Sequence, residues 1–253
     1  MRTGCARGGR KRFAQWAAQL ALKQEFAAVH ICGDWLTLRN EDTPTLYFAN
    51  HSSAWDLSIV AHATTRLLRQ DPFVMTDESS MWPLAHWSGA FSVDSSDPFE
   101  TARSMRYVRD LLSQPKTAVW IFPQGGIYMD SQRPLGFKAG IEHILRQGGG
   151  ARAVAVACRY MFCSRLRPEV FINFGTPIPL GGQRYLKRAE SDQMVVQLLD
   201  DLALRLMGQR KGDFHTILLG HRRILDAAQQ HQSNVALHSW GLRGQVSTIN
   251  RNE

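Results

Sequence analysis

The sequence lacks several features that would assign it at once to a class of protein. No run of about eighteen or more apolar residues occurs among its 253 residues, so it predicts no helix that crosses a bilayer. The four cysteines have no paired spacing typical of a zinc site or a disulfide framework, which favours a reduced, cytoplasmic setting. A Gly-x-Ser-x-Gly segment is also missing, which argues against a serine hydrolase.

The charge of the chain, in contrast, is strongly unbalanced toward basic residues. Thirty Lys and Arg against 22 Asp and Glu give a formal net charge of +8 at pH 7. This excess favours a polyanionic partner, such as anionic lipid, coenzyme A or acyl carrier protein. Patterns typical of nucleic-acid-binding proteins are missing, so no nucleic acid is expected as a partner. The length and the 44% hydrophobic content fit one α/β domain with an ordinary core.

The N-terminal segment combines a basic start with an apolar helix face. No acidic residue precedes Glu25. The basic residues are Arg2, Arg7, Arg10, Lys11 and Arg12, and the apolar residues at helical spacing are Phe13, Trp16, Ala17, Leu20 and Ala27. This pattern predicts either an interfacial membrane contact or a helix that packs on the domain behind a basic tail, and the two are compatible. We therefore predict a basic helical membrane-contact segment over residues 1–40, an α/β domain over 41–228 and a polar tail over 229–253.

One stretch, residues 50–56, connects a predicted strand to a predicted amphipathic helix. His51 falls in the turn, Ser52 or Ser53 is predicted to cap the helix, and Asp56 follows five residues after the histidine. One turn of helix can bring the Asp56 carboxylate beneath the imidazole. The carboxylate would keep one ring nitrogen protonated and leave the other free to accept a proton, as a general base requires. A capping or packing role for the same pair is the alternative.

The residues of this stretch match a known catalytic pattern. Asn50-His51-x-Ser53-x-x-Asp56 resembles the NHxSxxD form of the HxxxxD motif in the glycerolipid acyltransferases, the family of bacterial 1-acylglycerol-3-phosphate acyltransferases. The resemblance extends over roughly residues 45–180. It implies a mostly parallel mixed sheet flanked by helices, catalytic roles for His51 and Asp56, and substrate-binding roles for Asn50 and Ser53.

Two later segments extend the resemblance. Pro123-Gln124-Gly125-Gly126, after a predicted strand over residues 117–122, resembles the family's FPEGTRS block, in which glycine lets backbone approach the substrate. Gly136-Phe137-Lys138-Ala139-Gly140 resembles its F-K-x-G element. The resemblance makes Gln124, Gly125, Gly126 and Lys138 candidate substrate-binding residues. A plain tight turn and a solvated surface lysine are the alternatives.

The chain departs from the family at three positions that are normally charged. Ser95 stands where the family has an arginine that grips the acceptor phosphate, Gln124 replaces the glutamate of FPEGTRS, and Ile127 replaces its arginine. A serine cannot supply the bidentate phosphate contact of a guanidinium. These departures favour a neutral acceptor, such as a glycolipid or a glycosylated carotenoid, over a glycerophosphate.

The sequence therefore predicts an O-acyltransferase that moves a fatty acyl group from acyl-CoA or acyl carrier protein to a hydroxyl of a lipid-like acceptor. No metal and no cofactor beyond the acyl donor is expected. The predicted location is cytoplasmic, peripheral on the inner face of the membrane, with the lipid surface as a partner. Synthesis of phosphatidic acid from 1-acylglycerol-3-phosphate is one alternative, and a catalytically silent lipid-binding relative is another.

Overall fold

A nine-stranded sheet with helices on both faces forms the body of the protein. The computed structural model describes residues 8–39, 42–77, 89–93, 97–147, 150–163, 165–181, 186–208 and 211–221. The strands are β1 (Ala28–Gly33), β2 (Thr45–Ala49), β3 (Asp71–Asp77), β4 (Ala90–Val93), β5 (Thr117–Ile121), β6 (Arg152–Met161), β7 (Glu169–Phe174), β8 (Ile178–Pro179) and β9 (His215–Leu219). The α-helices are α1 (Gly8–Glu25), α2 (Asp56–Ala63), α3 (Pro98–Leu111), α4 (Gly140–Gln147) and α5 (Arg188–Met207).

The order of the strands places β2 near the middle of the sheet. The order is β4-β3-β5-β2-β6-β7-β1-β9, with β8 paired to β6. The pairs from β4 to β6 are parallel, as is the pair β1 and β7, whereas β7 and β8 run antiparallel to β6, and β9 runs antiparallel to β1. The predicted fold, a mostly parallel mixed sheet flanked by helices, is confirmed.

The two faces of the sheet are covered by different helices. Every residue of β2 is buried, because strands in the middle of such a sheet are covered on both sides. Leu46 and Phe48 point into an apolar cluster with α3, α4 and α5, while Tyr47 and Ala49 point into a second cluster with α1 and α2. This alternation along one strand explains why β2 has no polar face in its sequence.

The N-terminal part of the chain joins the sheet earlier than predicted. Strand β1 pairs with β7 and β9, so the boundary predicted at residue 40 does not separate the N-terminal segment from the sheet. Helix α1 ends at Glu25, and Ala27 therefore lies beyond it, buried at the entry to β1. No helix in the described ranges is both long enough and apolar enough to cross a membrane. The tail predicted over residues 229–253 lies outside the described residues.

Candidate active site

The candidate site lies where the parallel strands β2 and β5 end, beside β6, which continues to Met161. Strand β2 pairs with β5 on one side and with β6 on the other. The stretch of residues 50–56 follows β2, and the turn of residues 122–126 follows β5. Because parallel strands end at the same edge of the sheet, the two predicted blocks meet there, at the edge where open α/β sheets bind ligands.

His51 and Asp56 are in direct contact. The distance from His51 Nδ1 to Asp56 Oδ2 is 2.7 Å, and the same oxygen accepts hydrogen bonds from the backbone amides of Ser52 at 2.9 Å and Ser53 at 3.0 Å. An ionised carboxylate can only accept, so Nδ1 carries the proton and Nε2 keeps its lone pair. The imidazole also stacks on Phe122, with ring centres 4.5 Å apart. The pair has the arrangement that a general base requires.

The start of α2 differs from the prediction. The helix begins at Asp56, and its N-cap residue is Trp55, which makes no side-chain capping bond. The prediction that Ser52 or Ser53 caps α2 is therefore wrong. Asp56 itself occupies the first turn, where a negative charge is favoured by the helix dipole, and its carboxylate binds the amides of the two serines. Ser53 Oγ accepts a bond from the Trp55 amide at 3.2 Å.

A fourth donor to Asp56 comes from β6, and the sequence reasoning did not find it. The hydroxyl of Tyr160 donates to Asp56 Oδ1, while Asp56 itself is fully buried. Burial, and after it the charge of Asp56, raises the pKa of Tyr160 well above its ordinary value. Tyr160 lies 104 positions along the chain from Asp56. Only the adjacency of β2 and β6 could have revealed this contact, and no local spacing signals it.

Asn50 connects the His51 loop to β6. Its amide group donates to the Cys158 carbonyl at 2.9 Å, and its oxygen accepts from the Cys158 amide at 2.8 Å. The side chain is buried, and it bonds to the amide and the carbonyl of one residue, as the backbone of a neighbouring strand would. The predicted contact of Asn50 with substrate does not fit this placement.

Gln124 supports the same loop from the β5 side. Its Oε1 accepts from the His51 backbone amide at 2.7 Å, and its Nε2 donates to the Leu135 carbonyl at 3.2 Å. The side chain is only 3% exposed. A glutamate would keep the first bond but lose the second, because a carboxylate has no proton to donate. Gln124 is thus turned into the protein, and its predicted role in binding substrate does not fit this placement either.

Gly125, in the turn after β5, lies against the side chain of Lys138. Gly125 has φ +68°, a backbone conformation that favours glycine, and the Lys138 side chain lies over it. The Gly125 amide donates to the Phe122 carbonyl at 3.0 Å. Lys138 is exposed, and its backbone amide donates to the Pro123 carbonyl at 2.8 Å. A Cβ added at the next residue, Gly126, would lie 3.2 Å from the ring of Tyr128. These three predicted residues therefore do lie together.

A cleft of about 650 Å³ opens beside the two serines that follow His51. Its walls come from the end of α1, the serines and Trp55, residues 127–131, Tyr160 and the segment that follows β6. Several wall residues expose large apolar side chains, among them Ile127 at 55%, Met129 at 79% and Phe162 at 72%. The charged residues among the described lining are both acidic, Glu25 and Asp130. Ser95, the third departure from the family pattern, lies outside the described residues.

Comparisons with known proteins show what the chain is similar to. A family model described as Acyltransferase matches residues 35–161. A comparison with curated proteins gives no match. Among solved structures, the chain is similar to the 1-acyl-sn-glycerophosphate (LPA) acyltransferase PlsC from Thermotoga maritima, with 15% sequence identity and a TM-score of 0.52 over 78% of this chain and 79% of that chain. At this identity the likeness shows a shared fold.

Proposed function

This chain belongs to the acyltransferase family, and from that premise we propose that it moves a fatty acyl group from acyl-CoA or acyl carrier protein to a hydroxyl of a lipid-like acceptor. The observation that carries the proposal is the contact between His51 Nδ1 and Asp56 Oδ2, which leaves Nε2 able to accept a proton, next to two serines that line a cleft of about 650 Å³. A positioned general base of this kind contributes roughly 10²- to 10⁴-fold to the rate.

The proposed reaction needs no covalent enzyme intermediate. His51 Nε2 takes the proton of the acceptor hydroxyl while the hydroxyl oxygen bonds to the thioester carbonyl carbon. The carbon–sulfur bond then breaks, and the imidazolium gives the proton to the departing thiolate. The ester and the free thiol are the products, so the histidine returns to its starting state.

Backbone amides of the turn after β5 are the candidate donors to the oxyanion that forms during this attack. The Gly125 amide already donates to the Phe122 carbonyl. The Gly126 amide is therefore the candidate within this turn. Such a preorganised donor is effective because it need not reorient as charge develops on the oxygen.

The cleft supports a neutral acceptor. None of the described residues that line it is Lys or Arg, and its charged groups are Glu25 and an Asp130 carboxylate that is already paired with Arg159 at 2.8 Å, so the lining offers no free cation for a phosphate monoester. Hydroxyl groups of Ser52 and Ser53 and the ring of Trp55 suit a sugar, which offers both hydroxyls and an apolar face. We therefore favour a glycolipid or a glycosylated carotenoid over 1-acylglycerol-3-phosphate as the acceptor.

Exposed aromatic side chains on α1 support a location at a membrane surface. Phe13 and Trp16 are each 57% exposed, and the end of the same helix forms part of the cleft wall. Together with the exposed apolar residues of the cleft rim, they suit contact with the lipid interface. We propose that the protein is peripheral and binds the cytoplasmic face of the membrane, the side on which it would meet acyl-CoA or acyl carrier protein.

Labelled acyl-CoA offered with a panel of acceptors tests the proposal. We expect transfer to neutral glycolipids in preference to 1-acylglycerol-3-phosphate, and loss of transfer in His51→Ala with lipid binding retained. The matched control is His221→Ala. The His221 side chain is exposed, and the residue bonds to Lys23 through its backbone amide. Transfer that survives His51→Ala would refute the general-base role. A preference for the glycerophosphate would refute the neutral acceptor, and lipid binding without any transfer would favour the silent relative.

A further inference from the structure

Among the described residues, Tyr160 is the donor to Asp56 that comes from another strand, whereas the other three lie in the loop of residues 50–56. We propose that Tyr160 is a positioning residue for the proposed reaction: its hydroxyl donates to Asp56 Oδ1 and draws carboxylate charge away from Oδ2, the oxygen that holds His51. This inference rests on the proposed function, but it predicts a property of His51 that can be measured without turnover.

The position of the Tyr160 hydroxyl is fixed by the sheet. Asn50 binds the backbone of Cys158 through both ends of its amide, which sets the register of β6 against the His51 loop. Tyr160 follows two positions later and therefore points to the same side of the strand, toward Asp56. Its ring lies 5.9 Å from that of Phe26, which in turn packs edge-on against Trp55 at 5.6 Å.

The protonation states around Asp56 make Tyr160 a constant donor. Burial and the Asp56 charge raise the pKa of Tyr160, so the phenol keeps its proton over the physiological range. The other ionisable group on β6 that faces Asp56 is the Cys158 thiol, whose pKa burial also raises, so it stays neutral.

Removal of the hydroxyl should make His51 a stronger base. In Tyr160→Phe, the amides of Ser52 and Ser53 still hold Oδ2 on His51, but Oδ1 loses its donor. The carboxylate then carries more negative charge toward the imidazole and stabilises the imidazolium. The titration midpoint of His51 should move to higher pH. Return of the proton to the thiolate should slow, and kcat should fall by about tenfold, a part of what a general base contributes.

Tyr47→Phe is a matched control because Tyr47 is also a tyrosine in a strand, with its hydroxyl bonded to Gln70 Oε1 at 2.8 Å. The experiment is an NMR titration of the full chain, with the His51 signal assigned by its absence in His51→Gln, together with kcat and KM. We expect the shift and the kcat loss only in Tyr160→Phe, with KM unchanged because the ring remains in the cleft wall.

Three outcomes separate the possible failures. An unchanged His51 midpoint in Tyr160→Phe, or an equal shift in Tyr47→Phe, would overturn the positioning role. A midpoint that moves as expected in a protein that transfers no acyl group would support the positioning role and refute the proposed function. If the wild type transfers acyl groups and Tyr160→Phe changes neither kcat nor the acidic limb of the dependence of kcat on pH, the inference alone is refuted.

Discussion

The loop that carries His51 and the rim of the neighbouring cleft differ in how their side chains are satisfied. In the loop, Asp56 is fully buried and bound by four donors, and Asn50 and Gln124 use both ends of their amides within the protein. At the rim, Ile127 and Met129 expose more than half of their apolar side chains. A change in the loop must therefore break a buried bond, whereas a change at the rim need not.

This contrast explains how the chain departs from its family. Ile127, which stands in place of an arginine, lies on the exposed wall of the cleft, where a substitution alters what the cleft can bind at little cost in stability. Gln124, which stands in place of a glutamate, is buried, and it brings its own hydrogen-bond partner, the Leu135 carbonyl. Rim positions can thus change singly to select a substrate, while loop positions change only with compensation.

The largest effect that tests this contrast is expected for Asp56→Asn. The asparagine has one oxygen for four donors, and its own N–H groups must face other N–H or O–H groups. The tautomer of His51 is then no longer fixed. We expect acyl transfer to fall on the order of 10³-fold, measured with labelled acyl-CoA.

Asp110→Asn is the matched control for this substitution. Asp110 lies on α3 with its side chain 66% exposed, in a loose ion pair with Arg109 at 3.8 Å. Because an exposed pair of this kind contributes little, activity and stability should remain near those of the wild type. Equal losses in the two variants would show that the loop has no special dependence on its buried carboxylate.

The second effect is a loss of stability in Gln124→Glu, which changes a buried side chain of the loop region. The variant restores the residue of the family pattern, but its carboxylate cannot donate to the Leu135 carbonyl. We expect a loss of about 2 kcal/mol in the free energy of unfolding at pH 7, measured by urea denaturation. Burial should raise the pKa of the new carboxyl above its unfolded value, so the folded state binds the extra proton. The loss should therefore shrink as pH falls through that raised pKa.

Gln132→Glu is a close control for the second effect. Gln132 also donates to the Leu135 carbonyl, at 3.5 Å, but its side chain is exposed and water can replace the bond. Its stability should hardly change at any pH. A stability of Gln124→Glu that equals the wild type, or that does not recover in acid, would mean that the loop tolerates single changes as the rim does.

The same contrast shows how far the sequence could predict this molecule. The fold class followed from buried strands such as β2 and from the resemblance, and the contact of His51 with Asp56 followed from their spacing, because both depend on local periodicity. The roles of Asn50, Gln124 and Tyr160 could not be predicted, since each depends on a distant partner brought close by strand order. The catalytic role of His51 remains a prediction until turnover is measured.

The third effect tests the rim through Met129→Ser combined with Phe162→Ser. Both side chains are largely exposed, so their removal should leave the fold unchanged. Binding to lipid vesicles should weaken by about tenfold, because less apolar surface is available to leave water. Flotation with vesicles that contain anionic lipid measures this.

Phe99→Ser combined with Met207→Ser removes the same two residue types at comparable exposure, 85% and 81%, from α3 and α5, which form no part of the cleft wall. This control pair should bind vesicles as the wild type does. If both pairs weaken binding equally, apolar residues act wherever they lie on the surface, and the rim is not the lipid-facing side.

The smallest effect is expected where the two regions meet, at Lys138→Met. The ammonium lies over Gly125 at the rim, exposed to solvent, so its attraction for a phosphate of the acyl donor is partly screened. We expect KM for acyl-CoA to rise about threefold, with kcat unchanged and the dependence of KM on salt reduced, because exposed charge pairs contribute less than about 1 kcal/mol. Lys116→Met, which removes an exposed ammonium paired with Asp42 at 3.4 Å, should leave KM unchanged. Only interactions that are stronger in the transition state than in the bound substrate change kcat. A fall in kcat instead of a rise in KM would therefore place Lys138 among the groups that act on the reacting atoms, together with the buried loop.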